Sequence, residues 1–256
     1  MAWQLNWGSC KIMFTDWFAY FWPQITDPWV VRPGMFNLPW FFILLQPLRL
    51  LGPYISLALV EILTVWVVFR LAKLLKLSPM KTTFVLFSPP VLWCLFMGQV
   101  DGVILLAYMA PPGWAVLLAL CKPQVSIGAG LEAFRRNRWN ALLAAILLLS
   151  AWLVWKWPFS MQNPPQFFSL AFMDLTSWNW SLWPLGLVLI PLFLKSSKRQ
   201  VGLLISPFLF PYAGLQSLIG LALVTAKLPW KYFIPIWVLL WVRWALMVRL
   251  IVIPGL

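Results

Sequence analysis

The chain contains no histidine and only six acidic residues among 256, which excludes several classes of active site. Without histidine it can form no Ser–His–Asp triad, use no histidine as an acid or base, and offer no histidine ligand to a metal. Its three cysteines, Cys10, Cys94 and Cys121, are widely spaced and form neither a disulfide framework nor a metal-binding spacing. We therefore expect no metal site and no cofactor.

Charged residues are also scarce: 10% of the chain is charged and 62% is hydrophobic. A soluble domain contains about 25% charged residues, so this composition predicts an integral membrane protein. No polar block is long enough for a separate soluble domain, and we expect one all-α transmembrane domain over residues 1–256, in the cell membrane. The first 20 residues lack a continuous apolar run, so we expect no signal peptide.

The net charge of +13 comes from short basic clusters that lie between apolar runs. This is the pattern of the positive-inside rule, so we expect anionic membrane lipids as partners and no nucleic acid. The acidic residue beside one cluster, Glu132, is expected to pair with Arg135 or Arg136. Twelve basic residues fall on the inner side of the predicted topology: Arg70, Lys73, Lys76, Lys81, Arg135, Arg136, Arg138, Lys195, Lys198, Arg199, Lys227 and Lys231.

The apolar runs predict a multi-pass bundle of about 6–9 membrane helices, some of them broken or re-entrant. Residues 1–52 are expected to form outer interfacial helices and a loop, with Thr15 as a helix cap. Residues 53–256 are expected to form the membrane bundle. Within it, residues 53–76 are the first convincing span, and residues 82–97 cross back with a kink at Pro89–Pro90.

Residues 97–124 carry polar side chains in a stretch that should lie at membrane depth. The apolar runs at 103–110 and 114–121 are each shorter than the roughly 20 helical residues that cross a hydrocarbon core. A buried Asp101 or Lys122 costs about 2.5–3.5 kcal/mol on insertion scales, so we expect these residues to have a function. The alternative is a structural Asp101–Lys122 pair that pins two half-helices together.

Asp16 is the other acidic residue that can carry chemistry. It lies in an aromatic segment that we place at the outer interface. A partly buried carboxylate there, with a raised pKa, can act as a general base on a hydroxyl acceptor.

Several motifs resemble those of a known family. The GQVDG motif at 98–102, the KPQ motif at 122–124 and the basic turn RRNRW at 135–139 resemble the polyprenol-phosphate-sugar-dependent glycosyltransferases of the C-type membrane fold (GT-C). They resemble in particular the bacterial polyprenol-phosphate-mannose-dependent α-mannosyltransferases. Asp16 before a proline-rich loop, and SPFLFPY at 206–212, are similar to further parts of that family.

The resemblance implies a GT-C-like helical fold and the transfer of a sugar, mannose in that bacterial family, from a polyprenyl-phosphate donor at the outer face. It implies that Asp16 is the catalytic base and that Lys122 or Arg32 supplies positive charge beside the leaving phosphate. The other substrate-binding candidates, which would orient the sugar or lock the broken helices, are Gln99, Asp101 and Gln124.

Two other functions stay open. The family has a full span before its Asp and a His or Asp in its Ser-Pro hairpin, whereas here 15 residues precede Asp16 and the hairpin reads Phe-Pro-Tyr-Ala at 210–213. These differences favour a catalytically inactive relative that binds lipid or serves as a membrane subunit of a larger complex. A transporter is a third interpretation, because broken helices also build transport sites.

Overall fold

The structure is a computed structural model that describes residues 16–30, 37–156, 187–188, 190–192, 195, 199–209 and 214–252. These residues are mostly helical, as the all-α prediction requires. Proline begins many of the helices because it lacks the N–H group that a first helical turn leaves unpaired. The helix-starting prolines include Pro23, Pro47, Pro53, Pro79, Pro89, Pro112, Pro123 and Pro207.

The described chain begins with a π-helical turn, Trp17–Phe21, that continues directly into helix α1, Trp22–Thr26. Trp17 is fully buried, and its indole Nε1 donates a hydrogen bond to the carbonyl oxygen of Pro53 at 3.0 Å. One face of this predicted interfacial segment is therefore packed into the protein. The predicted cap, Thr15, lies outside the described residues.

Helix α2 (Trp40–Leu45), a 3-10 helix (Gln46–Leu51) and helix α3 (Gly52–Leu74) follow one another without a gap. Gly52 has φ 75° and ψ 168°, which is not helical, so the backbone breaks between the short pieces and α3. The predicted separation of outer interfacial helices from the first span stays a prediction. At 23 residues, α3 is about 35 Å long, enough for a hydrocarbon core of about 30 Å.

Among the described residues, one helical run, Trp40–Leu74, is long and apolar enough to cross a membrane. Helices α4 (Pro79–Leu86) and α5 (Pro89–Met97) would form a second span if they cross together, and they are bent by 45°. Ser88, between them, has the extended backbone that a following proline favours. The predicted kink is confirmed, whereas the predicted number of spans stays a prediction.

The predicted break in residues 97–124 is also present. Helix α6 (Asp101–Ile104), a 3-10 helix (Leu105–Tyr108), helix α7 (Pro112–Cys121) and helix α8 (Pro123–Arg136) follow one another with sharp turns. No single helix runs through this stretch, so its polar residues lie at helix ends. At the far end of α8, Arg136 donates to Glu132, which confirms the predicted ion pair.

The rest of the described chain packs around this broken stretch. Helix α9 is Trp139–Trp155, α10 is Arg199–Ile205, α11 is Ile219–Thr225 and α12 is Trp230–Val252, with short 3-10 turns at Ser206–Phe208 and Leu215–Leu218. Helix α8 lies between α7 and α10, and the turn Leu215–Leu218 packs against α5.

Candidate functional site

The turn after α5 brings two distant parts of the sequence together. Gly98 ends α5 in the left-handed conformation with φ 65°, which glycine adopts readily. A Cβ atom on Gly98 would lie 2.7 Å from the Cβ of Trp17, so only glycine lets the backbone approach Trp17 this closely. Asp16 directly precedes Trp17 and Gln99 directly follows Gly98, so this contact places Asp16 and Gln99 side by side.

The amide of Gln99 lies between Asp16 and Lys122. Its Nε2 donates a hydrogen bond to Oδ2 of Asp16, and its Oε1 accepts one from Nζ of Lys122 at 2.9 Å. This orientation matches both neighbours, because the carboxylate accepts hydrogen bonds and the ammonium group only donates them. Gln99 therefore connects the residue predicted as catalytic base to the buried lysine.

Lys122 also forms an ion pair with Oδ2 of Asp101. Asp101 has no exposed surface and Lys122 is 5% exposed. The second carboxylate oxygen of Asp101, Oδ1, accepts a hydrogen bond from the hydroxyl of Ser217 at 2.6 Å. Burying two charges is tolerated only when both are paired and hydrogen-bonded, and this arrangement meets that requirement.

Local backbone geometry points Lys122 at this network. Lys122 occupies the break between α7 and α8, with φ −149° and ψ 77°, a non-helical conformation that fits its position, because a following proline disfavours the helical region. The ring centroid of Phe21 lies 5.9 Å from its Nζ, at the outer range of a cation–π contact.

The environment of Asp16 raises the pKa of its carboxyl group. Burial is the largest cause, because it disfavours the charged carboxylate, and the negative charge of Asp101 acts in the same direction. The hydrogen bond from Gln99 and the positive charge of Lys122 oppose this increase. A carboxylate with a raised pKa is a stronger base than a fully solvated one, which suits proton abstraction from a hydroxyl group.

The structure thus brings together four of the six predicted site residues, Asp16, Gln99, Asp101 and Lys122. Gln124 is buried in the first turn of α8, two residues after Lys122. Arg32 lies outside the described residues. Ser217 completes the network but has no counterpart in the sequence analysis; the only signal was the polar pair at 216–217 within an apolar run.

Within the described residues, no group of three or more His, Cys, Asp or Glu residues could hold a metal ion. No protein-family model matches the chain, and no curated protein and no solved structure matches it.

Proposed function

We propose that this protein is a multi-pass, GT-C-like enzyme of the cell membrane that transfers a sugar, such as mannose, from a polyprenyl-phosphate donor to a hydroxyl acceptor. The observation that carries the proposal is the contact of Asp16 with Gln99 and, through Gln99, with Lys122. These residues belong to separate motifs that resemble the same family. Their meeting at one site gives the resemblance a physical basis.

The surface supports a membrane location. Large apolar side chains point outward from three helices; examples are Ile62 on α3 at 65% exposed, Leu149 on α9 at 54% and Leu239 on α12 at 65%. Exposed apolar surface spread over several helices is costly in water and favourable in lipid. We therefore infer that α3 is not the only crossing element, and that anionic lipids contact the basic clusters.

In the proposed reaction, Asp16 takes the proton from the acceptor hydroxyl as that oxygen bonds to the anomeric carbon of the sugar. The bond between this carbon and the phosphate oxygen breaks, and the polyprenyl phosphate leaves with the electron pair. Lys122 donates to Asp101 and to Gln99, so one N–H group remains for an anionic ligand. Its charge would stabilise the leaving phosphate electrostatically.

A second candidate function has an observation in its favour. The Asp101–Lys122 pair is buried and is completed by Ser217, so it also suits a purely structural connection between α6, the α7–α8 break and the 3-10 turn Leu215–Leu218. This arrangement suits a catalytically inactive relative that binds lipid or serves as a membrane subunit with partner subunits.

The substitution Asp16→Asn tests the enzyme directly. Asparagine keeps the shape and can still accept the hydrogen bond from Gln99, but it cannot act as a base. We expect sugar transfer to fall by about 100- to 10,000-fold, with folding and binding of the polyprenyl-phosphate donor retained. Transfer is measured with a labelled polyprenyl-phosphate sugar and the purified protein.

Asp27→Asn is the matched control, because Asp27 follows α1 and forms no hydrogen bond or ion pair with Asp16, Gln99 or Lys122. The Asp27→Asn variant should transfer sugar at the wild-type rate. Wild-type transfer by Asp16→Asn would rule out Asp16 as the base.

A further inference from the structure

The geometry around Asp16 distinguishes its two carboxylate oxygens. Oδ2 accepts the hydrogen bond from Gln99, whereas no described residue donates a hydrogen bond to Oδ1. The residue as a whole is partly exposed. Within the described part of the chain, therefore, one oxygen is held by Gln99 and the other has no donor.

Gln99 is itself held firmly. Its backbone N–H donates to the carbonyl of Cys94 at 2.8 Å, as part of the cap that ends α5. Its side-chain oxygen accepts from Lys122, whose own position is set by the ion pair with Asp101. A glutamine fixed at both ends of its side chain fixes in turn the carboxylate to which it donates.

We propose that Gln99 is a positioning residue: its amide holds Oδ2 of Asp16 and thereby directs Oδ1 toward the acceptor hydroxyl. This inference rests on the proposed function and gives Gln99 a role other than contact with the sugar. In the transfer step, the acceptor O–H bond breaks and its proton moves to Oδ1, while Oδ2 keeps its hydrogen bond to Gln99.

Among the described residues, the charged groups that act on Asp16 are Lys122, which favours its ionised form, and Asp101, which disfavours it. Other titratable residues on its own segment and on the neighbouring helices form no hydrogen bond or ion pair with Asp16; these are Tyr20, Asp27, Arg49, Tyr54, Glu61, Arg70, Lys73 and Cys94. Removal of the Gln99 amide should therefore raise the pKa of Asp16, because a hydrogen bond to the ionised form is lost.

The test uses the full chain in lipid nanodiscs with Gln99→Met, which keeps the side-chain length but removes both hydrogen bonds. Infrared spectra are recorded for each protein and for the same protein with the added substitution Asp16→Asn. The difference between the two spectra isolates the carboxyl signal of Asp16. We expect the titration midpoint of Asp16 to rise and kcat to fall by about 10- to 100-fold, with KM for the acceptor little changed. The acid limb of the pH–rate profile should move to higher pH by the same amount as the midpoint.

Gln24→Met is the matched control. Gln24 is a buried glutamine on the same helical segment, but its Nε2 donates to the carbonyl of Val30 at 2.7 Å rather than to Asp16. This variant should keep the wild-type midpoint of Asp16. If Gln99→Met does not fold, Gln99→Asn replaces it, because a side chain one methylene shorter stays polar and cannot bridge Asp16 and Lys122.

An unchanged midpoint of Asp16 in a folded Gln99 variant would overturn the positioning role. The midpoint is measured without any substrate, so it decides this inference even if the wild-type protein transfers no sugar. A raised midpoint together with no transfer by the wild type would instead overturn the proposed function, and would leave only the hold of the Gln99 amide on Asp16 established.

Discussion

Lys122 is the residue with the most constrained surroundings in the site. Two of its three ammonium hydrogens are donated to Asp101 and Gln99, and the ring of Phe21 lies nearby. Removing one partner of a buried pair leaves the other charge buried without compensation, which costs far more than the pair contributes. Lys122 therefore holds the site together through its contacts with Asp101 and Gln99, in addition to the proposed contact with phosphate.

We expect Lys122→Met to destabilise the folded protein by about 3–5 kcal/mol, because it leaves Asp101 charged and buried. Adding Asp101→Asn should recover most of that loss, since asparagine carries no charge and can still accept from Ser217. The free energy of unfolding in detergent, measured by denaturant titration, gives both values. Lys73→Met, a change at an exposed lysine on α3, is the control and should have little effect. Equal stability of Lys122→Met and the wild type would show that the pair does not hold the fold.

Among the elements, the broken helices were predictable from the sequence because their causes are local. The breaks lie where the sequence has Gly and Pro residues, near 98, 111–113 and 123. The apolar runs between these residues are too short for a span. The Asp101–Lys122 contact was predictable for a related reason: a buried charge in an apolar protein needs a partner of opposite sign.

The exact connections in the site were not predictable, because they depend on contacts between distant segments. The place of Gln99 between Asp16 and Lys122 requires the close approach of Gly98 to Trp17, 81 positions apart in the sequence. Ser217 reaches Asp101 only because its 3-10 turn packs against α5 and α6. Neither contact leaves a periodic signal, and the polar pair at 216–217 does not say which residue Ser217 contacts.

Helices α8 and α10 cross at Gly128 and Gly202. A Cβ atom on Gly128 would lie 2.4 Å from both the Cα and the carbonyl oxygen of Gly202, so the two backbones are in direct contact. The hydroxyl of Tyr108 donates to the Gly202 carbonyl at 2.8 Å, and the Gly128 N–H donates to the Ser206 hydroxyl at 3.2 Å. This crossing fixes α8, whose first residues follow Lys122 directly.

Gly128→Ala should therefore lower the free energy of unfolding by about 1–3 kcal/mol, because the helices must separate to accept a methyl group. Gly113→Ala is a control of the same chemistry at a site with room, where the new Cβ would meet only the Leu143 Cδ2 atom, at 3.6 Å. That change should be neutral or slightly stabilising, since alanine favours the helix. Thermal unfolding of both variants distinguishes these outcomes, and equal melting temperatures would contradict the close crossing.

The described residues combine exposed apolar helices, basic clusters and a buried polar site around Lys122. In the proposed topology the clusters face the cytoplasm, and the segment of Asp16 lies on the opposite side, where a polyprenyl-phosphate donor and its acceptor would meet. The exposed apolar side chains of α3, α9 and α12 would face lipid. On this account the buried network serves both as the support of the broken helices and as the catalytic site.

The most direct test of the account asks whether the purified wild-type chain alone transfers sugar. The protein is reconstituted in liposomes with a radiolabelled polyprenyl-phosphate mannose and a set of hydroxyl acceptors, and the label is followed from lipid to acceptor. We expect transfer by the wild type and its loss in Asp16→Asn. A folded wild-type protein that binds the donor lipid and transfers no label would contradict the enzyme and favour the inactive membrane subunit.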